Sequence, residues 1–217
     1  MSAITHDAVV DYLTTLRRSP HPELDIIAAE GRAAGLPIVD PQTGALLHAM
    51  TRAGGATRVL EIGTAIGYSA TWIATALPAN GTLISLERDA DRAARAREHF
   101  AAAKVAGKVT VIVGDATRYL HKVAGPFDLI FQDGDKAQYE PMLPRLIELL
   151  RTGGALITDN VIWNGEVIPG YVANPKYRPE DTAAIAAYNR TLAAESRLYT
   201  TFLPVGDGAA VSIKLED

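Results

Sequence analysis

Phe131-Gln132-Asp133-Gly134-Asp135-Lys136 and, one helix-length later, Ile157-Thr158-Asp159-Asn160 hold the residues of this chain best suited to chemistry. Each stretch closes an apolar run that reads as a strand, so carboxylates, an amide and a lysine converge at strand tips. Neighbouring parallel strands lie about 4.8 Å apart, so if the strands that end at these tips are neighbours, Asp133, Asp159 and Asn160 can share one ion. Two carboxylates and an amide are hard oxygen donors suited to Mg²⁺, Mn²⁺ or Ca²⁺. Zinc is disfavoured without His or Cys in the set. Asp135 alternates away from Asp133 and takes a capping or surface role. Taken singly, Lys136 reads as a solvated lysine opening a helix and Asp159-Asn160 as an Asx turn; their combination reads as a site.

A second constellation lies upstream. Val59-Leu60-Glu61-Ile62-Gly63-Thr64-Ala65-Ile66-Gly67-Tyr68-Ser69 runs from strand through a glycine turn into a helix start, where free amides can meet a ligand. Its E-x-G-x-x-x-G spacing is not the G-x-G-x-x-G fingerprint of dinucleotide sites. The next strand ends in Leu86-Glu87, 24 residues past Gly63, where an acid accepts both hydroxyls of a ribose. The third ends in Gly114-Asp115-Ala116, from which Asp115 can accept an adenine amino group. Turn, acid and Gly-Asp-Ala together point to S-adenosylmethionine.

The elements that must hold these residues are legible. Residues 1–56 are helical in pattern, broken at Pro22, Pro37 and Pro41, with Asp40-Pro41 as an N-cap followed by an N1 proline. From Arg58 onward short apolar runs alternate with longer amphipathic ones, which builds a parallel sheet. Strands are expected at 58–62, 82–87, 109–113, 127–131 and 153–159, with helices at 68–77, 89–105, 116–122 and 137–151. An irregular segment, Val161 to Glu180, precedes a helix at 180–195 and two strands at 197–203 and 209–215, joined by a turn at Gly206-Asp207-Gly208. Long loops of this kind often bind ligands.

The 217 residues are 48% hydrophobic, enough for one core and short for two, so a single domain over 1–217 is expected, with N-terminal helices at 1–56 and an α/β core at 57–217. A formal charge of -4 gives no broad field for nucleic acid or anionic lipid. The absence of cysteine excludes disulfides and thiol chemistry. The start lacks the pattern of a signal peptide, and no apolar run reaches the roughly 18 to 20 residues of a membrane span. A cytoplasmic protein is therefore expected. His6, His21, His48, His99 and His121 lack ligand spacing and read as structural or surface residues.

Leu60-Glu61-Ile62-Gly63, Asp133-Gly134-Asp135-Lys136, Asp159-Asn160-Val161 and Pro204-Val205-Gly206-Asp207-Gly208 together resemble the cation-dependent O-methyltransferases, the group of catechol and caffeoyl-CoA O-methyltransferases with many bacterial members. The resemblance covers about residues 36–217. It implies a Rossmann-like methyltransferase fold: a seven-stranded, mostly parallel sheet with an antiparallel last strand, helices on both faces and extra N-terminal helices. It also implies a homodimer, and an acceptor that is a catechol-like or other vicinal-diol small molecule. Metal ligands then fall on Asp133, Asp159 and Asn160, with Lys136 as catalytic base. Contacts to S-adenosylmethionine fall on Val39, Glu61, Gly63, Ser69, Glu87, Asp115 and Ala116, with Asp133 near the methionine amine. Ala65 stands where the animal catechol enzyme carries an aromatic cofactor contact. Trp163 and Asn164, directly after the metal motif, are candidate acceptor contacts, with Tyr171 and Tyr177 in the same segment.

Two competing readings differ in consequence. A hydroxylated tRNA uridine as acceptor would need a basic footprint, for which Arg17-Arg18, Arg52 and Arg58 are the available residues. A cofactor-binding module without catalysis would bind the donor and no metal.

Overall fold

The computed structural model describes residues 7–216. Three helices come first: α1 (Asp7–Leu16), α2 (Glu23–Ala33) and α3 (Pro41–Ala53). Then follow β1 (Arg58–Ile62), α4 (Tyr68–Ala76), β2 (Thr82–Glu87), α5 (Ala90–Ala102), β3 (Val109–Val113), α6 (Ala116–Leu120), β4 (Phe127–Gln132), α7 (Tyr139–Leu149) and β5 (Leu150–Asp159). The chain closes with α8 (Pro179–Ala194), β6 (Leu198–Leu203) and β7 (Ala209–Lys214). Asp40 caps α3 through Gln42 N, and Pro41 fills its first turn, as its sequence pattern requires.

The sheet order is β3-β2-β1-β4-β5-β7-β6, with β7 antiparallel to both of its neighbours and the first five strands parallel. This is the expected Rossmann-like methyltransferase fold. Alternation along each strand divides the core in two. Val59, Leu129, Phe131, Ile157 and Val211 join one buried cluster with residues of α2 to α5. Leu60, Ile62, Ile130, Leu156 and Ala210 join another with residues of α7 and α8. Both sheet faces are thereby buried, which is why the parallel strands read as continuous apolar runs.

Strand β5 starts three residues earlier than expected and α7 is shorter at both ends. Lys136–Gln138 form a separate 3-10 turn capped by Asp135, which accepts from Ala137 N and faces Arg88 at 3.6 Å. The segment after Asn160 contains another such turn, Trp163–Gly165.

Two polar staples hold the frame. The Asp128 carboxylate accepts from Thr57 N, Arg58 N, Thr57 Oγ1 and Arg151 Nε, which joins the bases of β1, β4 and β5. Despite partial burial, those donors hold its pKa down at about 2. Buried His99 on α5 lies between Glu23, 2.8 Å from its Nδ1, and Glu30, 3.3 Å from its Nε2, and so ties α2 to the core. Arg95 reinforces the tie by pairing with Glu30. His48 faces the Trp72 carbonyl, and the His21 Nδ1 accepts from Glu23 N. These histidines are structural; His6 lies outside the described residues. Among the described residues no helix is long and apolar enough to cross a membrane.

Candidate active site

The strand order reverses between β1 and β4, the point where α/β sheets open a crevice beyond their carboxyl ends. Three backbone bonds continue the ladder past the strand tips: Gly114 N to Glu87 O, Gly63 N to Leu86 O and Asp133 N to Ile62 O. Gly63 has φ +98, and a Cβ there would strike the Asp133 carbonyl. Only glycine fits so close a backbone approach without strain.

A cavity lies over these tips. Gly63 and Ser69 line it beside Asp133; Glu87, Asp115 and Ala116 line it towards β2 and β3; Val39 closes it from the N-terminal side. Thus all but one of the donor contacts expected from sequence share one wall. Glu87 accepts from Ala65 N at 2.7 Å and Asp89 N at 3.0 Å, which fixes its carboxylate at the rim. Asp115 caps α6 through Thr117, with its pKa lowered by those bonds. Ala65 also lines the cavity, in a left-handed conformation.

Glu61 is the exception. It faces the α4 side of the sheet, wholly buried, and does not line the cavity. Its carboxylate accepts from Ser69 Oγ at 2.6 Å and from Ser85 Oγ, and Ser85 also pairs with Thr64. Burial raises its pKa to about 7 against the pull of these two hydroxyls, and Asp133 and Glu87 add to the rise. In this geometry Glu61 reaches the cavity through Ser69.

A second cavity of about 320 Å³ adjoins the first and is lined by Asp133, Asp159, Asn160, Lys136, Trp163 and Tyr177. The segment Pro37–Val39 lines both cavities. Trp163 and Tyr177 stack with ring centroids 3.9 Å apart. Asn164 is buried but does not line this cavity; its backbone N–H donates to Asp207.

Asp133, Asp159 and Asn160 converge as their strand positions predicted. Asn160 sits at φ +61, a left-handed turn that asparagine tolerates better than most residues. Lys136 Nζ donates to Asp133 Oδ1 at 2.8 Å, Asn160 Oδ1 at 2.6 Å and Tyr139 Oη at 2.8 Å. Asp159 is only 3% exposed, and its Oδ1 has no hydrogen-bond partner among the described residues. Burial and the Asp133 charge push its pKa well above the usual carboxylate range, against the attraction of Lys136. A buried carboxylate oxygen without a hydrogen-bond partner, beside a second carboxylate, is costly unless a cation joins it. The donor set therefore fits a hard cation, although no three His, Cys, Asp or Glu side chains cluster as a metal group among the described residues. The third donor here is an amide.

Asp207, which the sequence places only in a turn motif, and Tyr139, which no sequence pattern singles out, support the site. Asp207, on the β6–β7 turn, accepts from Ile162 N and Trp163 N through its carbonyl, and its side chain bonds Asn160. That fixes the Asn160 amide so that its oxygen faces Lys136. Desolvation raises the Asp207 pKa in spite of these bonds.

Fold and site together define an S-adenosylmethionine-dependent methyltransferase. Residues 22–215 match the O-methyltransferase family, and the chain belongs to that family. It is 35% identical over 191 residues to a catechol O-methyltransferase of Niastella koreensis, covering 83% of this chain and 84% of that protein. It is 30% identical over 226 residues to a caffeoyl-CoA O-methyltransferase of Eucalyptus gunnii, covering 99% and 90%. Its fold superposes on the O-methyltransferase TomG from Streptomyces achromogenes in complex with S-adenosylmethionine with a TM-score of 0.84, at 29% identity, covering 96% of each chain.

Proposed function

We propose that this O-methyltransferase requires a divalent cation, Mg²⁺ in the first instance, and methylates one hydroxyl of a catechol-like small molecule. The observation that carries the reading is the buried Asp159 Oδ1, without a hydrogen-bond partner among the described residues, beside Asp133 and Asn160. The catechol O-methyltransferase of Niastella koreensis supports the acceptor class, as does a cavity of about 320 Å³ walled by the Trp163–Tyr177 pair.

Asp133, Asp159 and Asn160 would hold the cation. When bound, it supplies positive charge that favours ionisation of a hydroxyl whose pKa is otherwise about 10. The chain does the rest. Lys136 takes the hydroxyl proton at Nζ as the neutral amine, which donates two hydrogen bonds at most and so must give up one of its three oxygen partners. The oxygen attacks the methyl carbon as the carbon–sulfur bond breaks, its electron pair passing to sulfur. Gly63, Ser69 and Asp133 hold the methionine end, Glu87 the ribose, and Asp115 and Ala116 the adenine. Pro37–Val39, Trp163 and Tyr177 exclude water and orient the acceptor, with Asn164 holding the loop beneath. Alignment of this kind supplies about 7 to 11 kcal/mol of barrier reduction. The chain acts as one domain throughout.

The test is methyl transfer from S-adenosylmethionine to catechols, caffeoyl thioesters, flavonoids and hydroxyuridine-containing tRNA, with Mg²⁺ or with chelator. Turnover of a catechol that chelator abolishes and Mg²⁺ restores is expected. Turnover indifferent to chelator would overturn the metal assignment.

A further inference from the structure

We infer that Tyr139 is a positioning residue for Lys136, holding its amine in place through the phenolic oxygen. This rests on the reading of Lys136 as the base. Lys136 Nζ has three oxygen partners, and two of them, Asp133 and Asn160, are the proposed cation ligands. A cation drawing on those oxygens competes with Lys136 for them. Tyr139 Oη, at 2.8 Å, carries no such second claim.

The environment of Tyr139 suits it to this task. The ring is 1% exposed and packed edge-on against Tyr188 at 5.3 Å. Its hydroxyl can donate its one hydrogen to the carbonyl of Asp159 or of Gln132, 3.3 and 3.4 Å away. A hydroxyl that donates to either carbonyl turns a lone pair to the lysine and accepts from Nζ. One N–H is anchored, and the remaining face of the nitrogen is left for the acceptor. The spacing places Tyr139 at the start of α7, one 3-10 turn past Lys136, so the base and its anchor share one rigid piece of backbone.

The experiment compares Tyr139→Phe, Lys136→Ala, the double variant and Tyr188→Phe for kcat, acceptor KM, calorimetric Kd for S-adenosylhomocysteine and Tm. Tyr188 is the control: its hydroxyl is equally buried, bonded to Thr158 and Gln132, and does not reach Lys136. A hydrogen bond between a neutral amine and a phenol corresponds to about a 2- to 10-fold effect, so Tyr139→Phe should lower kcat by that factor with acceptor KM and Kd little changed. It should cost nothing further in the Lys136→Ala background, and Tyr188→Phe should keep kcat with a comparable loss of Tm. The positioning role is overturned by an undiminished kcat in Tyr139→Phe, by an equal loss in the Lys136→Ala background, or by an equal loss in Tyr188→Phe. If Lys136→Ala itself keeps kcat, the base assignment falls, and the positioning role falls with it.

Discussion

Replacing Glu61 by glutamine should make stability less sensitive to pH across the range from 4.5 to about 7 over which this carboxyl is shifted by folding. An unfolded glutamate ionises near 4.5, whereas the buried Glu61 holds its proton until about 7. Between those values the folded state binds more protons than the unfolded one, so stability falls as pH rises. The loss is complete above the folded value. Integrated between about pH 5 and pH 8, the shift corresponds to about 2 to 3 kcal/mol. Glutamine carries no charge and escapes this loss, though it still occupies the niche between Ser69 and Ser85. All other titrating groups are common to the two proteins and cancel in the difference. Urea unfolding of both proteins at the two pH values measures it directly. Thermal unfolding should show the gap between variant and wild type moving by about 4 to 12 °C in favour of glutamine at the higher pH. A gap that stays constant with pH, or moves the other way, would refute the burial argument for Glu61.

Two further outcomes follow from the frame and the donor cavity. Asp128→Asn should destabilise the fold by about 1 to 3 kcal/mol near neutral pH. Because the Asp128 pKa is lowered from 3.8 to about 2, its stabilisation is present above 3.8 and fades as pH falls towards 2, so the penalty should shrink in acid unfolding titrations. Gly63→Ala should weaken S-adenosylhomocysteine binding by at least about 10-fold in calorimetry, since a left-handed alanine costs about 1 to 2 kcal/mol and its Cβ meets the Asp133 carbonyl. Unchanged affinity would contradict the close approach of β1 and β4.

The parts of this site that sit at strand tips were legible in the sequence, because apolar runs announce where strands end. Asp133, Lys136, Asp159 and Asn160 were located that way, and so were Gly63, Glu87 and Asp115. The burial of Glu61 was not, since its letter is that of a surface acid and only the alternation of β1 turns it inward. Asp207 lies 47 positions beyond Asn160; it reads as a hairpin residue until β7 pairs with β5 and carries the turn under Trp163. Tyr139 carries no signal in its letter, because its role depends on a contact to Lys136 that only the folded turn creates. Nor does spacing alone separate Trp163, which lines the second cavity, from Asn164 beside it, which is held against Asp207. Local pattern reveals positions along the chain; second partners supplied by distant loops appear only once the chain is folded.

Pro37, Ile38 and Val39 form a wall common to both cavities, and they follow α2, which His99 and Arg95 tie to α5. A wall held in common cannot respond to one occupant unfelt by the other. Any free energy that one occupant spent in settling this segment would already be spent when the other arrived, and the two binding equilibria would then be thermodynamically linked. Such linkage is reciprocal: the factor by which the donor sharpens acceptor affinity must equal the factor by which the acceptor sharpens donor affinity.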